Sequence, residues 1–370
     1  MKKKYLWTRE NYWLNLITMI MCAGSIFFIK LFSNILESDV EYLYDFSDRI
    51  GVNEIGNRIA NSCFSDYMEL ANIWYLCMLL GIAVISICLF QDMKAKETQE
   101  WMVTLPVTNR EVFWHKWLRG MIAYTIPFLV YIAGILTVHQ RNIIWIRGRY
   151  LLDINWKFLL IQEQPMSYLK VFGMLWLWAT SCYCIFFFIQ VVCKKGILAA
   201  MISFGILLTP IYTATVLYRV DVLNSYLGDK GDFIYQIFLF PLNDNTFEEK
   251  GWLFYPEAYM QRSYSHITSD LYIVRISDLF IVAIVVIVCL FLSYRYFDRM
   301  MQQTQPGIFS ICWTRYAILA GFGLCVGMGL FMNLCVYHNV VNRGIFVFGT
   351  LIFTVAFTLI VDKLMKRRGY

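Results

Sequence analysis

The sequence predicts an all-α polytopic membrane protein of about eight transmembrane helices with both termini in the cytosol. Three observations carry that expectation: composition, the spacing of apolar stretches, and the distribution of Lys and Arg. Of the 370 residues 59% are hydrophobic, 18% aromatic and only 16% charged. A soluble domain carries about a quarter charged residues. A span needs about 20 predominantly apolar residues to cross the hydrocarbon core. Eight stretches meet that need: Tyr12–Phe32, Ala71–Phe90, Trp117–Val138, Val171–Cys193, Gly196–Leu217, Ile276–Tyr294, Tyr316–Val336 and Gly344–Val361. With the N-terminus inside, residues 1–11, 91–119, 194–195, 295–315 and 362–370 face the cytosol. They hold 18 basic and 7 acidic residues, against 14 and 19 on the other side. Cytoplasmic loops collect Lys and Arg, so the net charge of +6 reflects topology rather than binding to nucleic acid.

The elements follow in order. Residues 1–13 combine Lys2, Lys3 and Lys4 with Tyr5, Trp7, Tyr12 and Trp13, a mixture suited to a helix lying in the interface before the first span, or to a simple positive anchor. The first span is too long, and lacks a clean small-residue cleavage site, for a removed signal. The outer loop 33–70 has eight acidic residues and two arginines, and short surface helices are expected there. A second outer loop, 139–170, is net basic. The third, 218–275, contains the apolar run Phe233–Phe240, which is too short to span, ends at Pro241, and suits a re-entrant or interfacial turn. Pro127 in span three and Pro210 in span five each remove one helix hydrogen bond, so kinks are expected at both. Span seven contains Gly321, Gly323, Gly327 and Gly329. Without a preceding strand this is no dinucleotide fingerprint; Gly323 and Gly327 are read as close-packing positions between the last two spans. Nine of the 11 cysteines fall in spans, where packing is the default reading. Cys182 and Cys184 lack a second ligand pair, so no metal site is expected.

The segment 92–116 between spans two and three is the longest charged stretch on its side. If residues 94–104 are helical, Lys94, Glu97 and Trp101 share a face, Trp101, Met102 and Leu105 form an apolar end, and Pro106 breaks the helix. Thr108 then caps a second helix with Glu111 completing a capping box, and that helix leads through Lys116 into span three. Such a connector is where a soluble partner could push on the membrane domain. An ordinary solvated hairpin at the membrane surface is the plainer reading of the same residues.

Catalytic chemistry is not legible. The chain contains no GxxxxGK[ST], HExxH or GxSxG string, and its four histidines are far apart in sequence. No Asp, Glu, Lys or Arg sits in the middle of any predicted span. Ion-coupled transporters and intramembrane hydrolases keep such groups at depth, so both classes are disfavoured. A non-catalytic subunit powered by a partner is expected, with no catalytic residues and no cofactor of its own.

The stretch Glu97-Thr-Gln-Glu-Trp-Met-Val-Thr-Leu105-Pro106-Val107-Thr108-Asn109-Arg110-Glu111-Val112-Phe113-Trp-His-Lys116 resembles the coupling region of type-2 ABC transporter permeases, in particular the Gram-positive eight-span subgroup. It departs from that pattern by Asn109 as an inserted position and by the lack of a glycine before the Thr-x-Glu region. The resemblance implies a six-span permease core over 1–294 and a cytosolic connector with a C-terminal two-span hairpin over 295–370. It implies docking of a cytosolic ABC ATPase through Lys94, Glu97, Glu100, Trp101, Leu105, Pro106, Arg110, Glu111 and Lys116, helped by the basic turn Lys194-Lys195. ATP and Mg would then be bound by the partner. A second permease copy or a homologous permease, the lipid bilayer, a bacterial plasma-membrane location and export of an antimicrobial peptide or antibiotic are further implications. Two rivals are a membrane-embedded enzyme acting on lipid-linked substrates, with Asp278 and Glu257 as candidate groups, and a non-transporting sensor or assembly subunit.

Overall fold

The computed structural model describes residues 2–46, 62–94, 108–150, 165–219, 276–302, 312–337 and 343–367. Among them the chain forms eight helices: α1 Lys2–Phe46, α2 Ser62–Lys94, α3 Asn109–Tyr150, α4 Pro165–Val192, α5 Gly196–Arg219, α6 Ile276–Gln302, α7 Cys312–Tyr337 and α8 Arg343–Arg367. Each expected span lies within one helix, with Cys193 one residue past the end of α4. Six helices are long and apolar enough to cross a membrane, over Tyr12–Ile35, Ile73–Lys94, Asn109–Asn142, Leu175–Val192, Trp313–Met332 and Phe346–Met365. The chain is an all-α multi-pass membrane protein. In lipid the backbone must satisfy its own polar groups, and helices do so locally.

Several helices outrun the bilayer, and this corrects the expected loops. Helix α1 has 45 residues, about 68 Å at 1.5 Å per residue, against a hydrocarbon core of about 30 Å. Residues 2–13 are its first turns rather than a separate interfacial helix, because no proline and only one glycine, Gly24, occurs in 2–46 to interrupt it. The expected outer loops are shortened in the same way: α1 ends at Phe46 and α2 starts at Ser62, while α3 runs to Tyr150 and α4 starts at Pro165. Helices α3 and α5 remain continuous through Pro127 and Pro210. The run Phe233–Phe240 lies outside the described residues.

The chain divides into two compact units. Unit one comprises residues 1–89, 114–183 and 242–284; unit two comprises 90–113, 184–241 and 285–370. Unit one is organised on Trp74, which is fully buried. Its indole stacks on Tyr131 with ring centres 3.9 Å apart and meets Phe128 edge-on at 4.6 Å. The indole N–H donates to Ser25 Oγ at 3.1 Å, and the Ser25 hydroxyl reaches the carbonyls of Met21 at 3.0 Å and Pro127 at 3.2 Å. One buried polar chain thus joins α1, α2 and α3. Helices α3 and α4 are held by Tyr124 to Thr180 at 2.8 Å, by Trp176 Nε1 donating to Thr125 Oγ1 at 3.1 Å, and by Tyr183 donating to the Trp117 carbonyl at 3.0 Å. Gly120 makes room for the Tyr183 hydroxyl, which occupies the space a side chain there would need.

In unit two, α4 and α5 are joined by residues 193–195 alone, with Cys193 N–H bonded to the Ile189 carbonyl at 2.9 Å and Ala199 N–H to that of Lys195 at 3.0 Å. Ile189, Cys193 and Ala199 form a small buried cluster under this turn. Further along, Val216 of α5, Met328 of α7 and Phe346 of α8 share a second cluster. Helices α7 and α8 pack as a close hairpin. A Cβ on Gly323 would stand 3.0 Å from Phe357 Cδ1, and one on Gly327 would stand 3.2 Å from Phe353 Cδ1. Both glycines therefore let α7 approach α8, as small residues do between membrane helices. Gly321 faces open space. Near one end of the hairpin Arg315 pairs with Asp362 at 2.8 Å and also donates to its carbonyl at 3.1 Å, while the Tyr316 hydroxyl lies 3.4 Å from the same carboxylate.

Candidate functional site

The connector predicted to meet a partner leaves α2 at Lys94 and enters α3 at Asn109, and both ends lie in unit two. The entry is built by local chemistry. Thr108 Oγ1 accepts the Glu111 N–H at 3.3 Å, and Glu111 Oε2 accepts the Thr108 N–H at 3.1 Å. This reciprocal pair is the expected capping box, and it satisfies donors that a helix start leaves open. From there α3 runs without interruption to Tyr150, so the connector's second end is continuous with a long membrane helix. A Thr108→Ala change should cost about 1 kcal/mol of local helix stability. Faster amide exchange in the first turn of α3, with the rest of the helix unchanged, is the expected result.

Both ends are also tied to other helices. Lys94 Nζ donates to Gln190 Oε1, and the fully buried Gln190 passes its own N–H to the Gly196 carbonyl at 3.0 Å. The end of α2 is thereby fastened to the turn holding Lys194 and Lys195. The Lys94 ammonium also stands 5.8 Å from the centre of the Phe90 ring. On the other side, Asn109 Nδ2 donates to Asp298 Oδ1 at 3.0 Å, linking the start of α3 to α6. Beneath these polar ties lies an aromatic core around the buried Phe113. It meets Phe187 at 5.5 Å, Tyr294 at 5.5 Å and Phe297 at 5.4 Å, all edge-on, and Phe90 meets Phe187 at 4.9 Å. Edge-to-face pairs at such distances are favourable beyond their burial. Five helix ends, from α2, α3, α4, α5 and α6, converge in this way.

The expected docking residues divide by position. Arg110 and Glu111 are exposed on the first turn of α3, Lys195 is exposed and Lys194 half-buried. Lys116 corrects the expectation that it belongs to the docking face. It lies in unit one, is 2% exposed, and donates its ammonium to the Leu89 carbonyl. Its long stem and charge serve as a strut between α2 and α3. Glu97, Glu100, Trp101, Leu105 and Pro106 lie outside the described residues, as does Glu257. Gln190 and Asp298 carry no expected role in the sequence, and Asn109 stands out there only as an inserted position. Gln190 had a signal, being a side-chain amide within the apolar span Val171–Cys193; polar groups in such spans are commonly interhelical fasteners.

Chemically the convergence is a set of polar ties over an aromatic core. Its polar groups are paired with one another, and among the described residues no group of three or more His, Cys, Asp or Glu could hold a metal ion. No family model, no curated protein and no solved structure matches this chain.

Proposed function

We propose that the chain is the membrane-spanning subunit of an ATP-driven ABC transporter of the type-2 permease kind, acting as an exporter and docking a separate cytosolic ATPase through residues 92–116. In this reading all eight helices cross the bilayer, both termini are cytosolic, and a six-span core over 1–294 is followed by the connector and hairpin of 295–370. The protein resides in a bacterial plasma membrane and works with a second permease copy or a homologue. It has no catalytic role of its own, and ATP and Mg belong to the partner. The acidic balance of the outer segments would draw in cationic peptides electrostatically, which favours export of an antimicrobial peptide or related antibiotic.

The observation that supports this best is the anchoring of the connector at both ends. Lys94 is held to Gln190 and Asn109 to Asp298, while the capped start of α3 continues into a membrane helix. A partner that moves the connector would move the ends of α4, α5 and α6 with it. ATP-driven closure of the partner could then bias a rigid-body rearrangement of the helices. Coupling of this kind is reciprocal, so transported substrate should alter ATP turnover. Trp101→Ala should lower transport and recovery of the ATPase complex together. Full recovery of the complex would remove Trp101 from the interface.

A further inference from the structure

The tie between α3 and α6 fixes the direction in which neighbouring side chains leave that contact. Asn109 meets Asp298 at 3.0 Å, and Phe113, one turn further along α3, meets Tyr294 and Phe297, which precede Asp298 on α6. The two helices therefore run antiparallel here. A helix turns about 100° per residue. With Asn109 and Phe113 facing α6, that turn carries Arg110 to one flank of the contact and Glu111 to the far side of α3. On α6, Arg295 and Arg299 are four residues apart and leave the contacting face by about a quarter turn or more, on the same flank as Arg110. Arg110, Arg295 and Arg299 are all exposed. Among the described residues neither Arg110 nor Arg295 is paired with a carboxylate, and Arg299 stands 5.5 Å from the centre of the Tyr296 ring. Asp298 accepts from Asn109 between the two helices. Three guanidiniums thus share the flank with one carboxylate, and a net positive charge remains.

The flank adjoins the connector, because Arg110 is the second residue of α3 and lies inside the capping box of Thr108 and Glu111. A guanidinium presents a planar fork of N–H donors that matches carboxylates and phosphates. The carboxylate of Asp298 beside the arginines would repel a phosphate headgroup laid over them. A protein surface can place its carboxylates on the arginines and leave Asp298 opposite a neutral or basic group. Opposed potentials of this kind set register and steer association. We propose that Arg110, Arg295 and Arg299 form a second docking point beside the connector and receive carboxylates from an acidic surface of the soluble partner. The proposal rests on the transport reading for the existence of that partner. It adds the end of α6 to the interface and names the chemistry that meets it.

The test uses the full chain, recovered with its partner from the native membrane. Arg110→Glu combined with Arg295→Glu should lower recovery of the partner at least about tenfold, because like charges then meet. Arg110→Lys combined with Arg295→Lys keeps the charge and loses only the fork, so recovery should stay within about fivefold of wild type. Unchanged unfolding midpoints in detergent would show that both variants are folded. In the lysine variant a carbodiimide, which joins an amine to a carboxylate without a spacer, should couple position 110 or 295 to an Asp or Glu of the partner. Peptide mass spectrometry reads that product. Full recovery by the glutamate variant would overturn the docking point and leave the transport reading in place. Coupling of these positions to Asp298 or Glu111 alone would overturn it too. So would a loss of partner that depletion of phosphatidylglycerol reproduces in wild type without any coupling to the partner, since the arginines would then serve lipid headgroups. A wild-type chain that brings down no partner would sink the transport reading itself and this proposal with it.

Discussion

Replacing Trp74 by alanine is expected to cost unit one about 3–5 kcal/mol, the largest loss from any single side chain discussed for that unit. Trp74 is fully buried, stacks on Tyr131, and is met edge-on by Phe128. Lipid tails are as apolar as the interior, so the loss comes from packing contacts and the cavity rather than from exposure to water. The alanine would also strip Ser25 Oγ of its indole donor. Trp74→Phe separates the two contributions. It keeps a ring in the stack and removes only the hydrogen bond, for about 1 kcal/mol. Unfolding by denaturing detergent in mixed micelles, followed by tryptophan or thiol-reactivity probes, would rank the three proteins. Equal losses for Trp74→Ala and Trp74→Phe would mean the ring packing is not what holds α1, α2 and α3.

Asp362→Ala should destabilise the α7–α8 hairpin by about 3–5 kcal/mol. The Arg315 and Asp362 side chains are 14% and 9% exposed, so removing the carboxylate leaves a guanidinium largely out of water. The pair as a whole is a different matter, because desolvation of both charges offsets most of their attraction. Arg315→Leu with Asp362→Leu should therefore recover much of the loss that Asp362→Ala causes. Protease protection of the hairpin in lipid discs provides the measurement. If the double replacement costs as much as the sum of the single ones, the two residues act independently and the pair does not set the hairpin.

Which parts of this architecture could be read from sequence follows from the range of the interactions. The apolar stretches were legible because a span is a property of about 20 consecutive residues, and each stretch falls within one helix. The Thr108–Glu111 cap was legible for the same reason, since its partners are three residues apart. Helix ends were not. Charge and loop-like composition suggested that α1 and α3 stop at the bilayer edge, whereas both continue, because nothing in those segments stops a helix already begun. The ties that fix the connector were also out of reach. Lys94 meets Gln190 across 96 positions and Asn109 meets Asp298 across 189, and no local pattern pairs such residues. Lys116 illustrates the complementary error. A lysine beside a predicted docking segment reads as surface charge, but its stem can bury along apolar helices while its ammonium finds a carbonyl.

The central claim is that a separate ATPase works this chain through residues 92–116. The most direct test is recovery of the tagged, detergent-solubilised chain from its native membrane, followed by an assay for ATP hydrolysis. The account predicts a co-purifying P-loop ATPase that is lost when Trp101 and Leu105 are replaced by alanine, with the variant chain still folded and inserted. A wild-type chain that purifies alone and without ATPase activity would contradict the transporter reading and favour an enzyme acting on lipid-linked substrates.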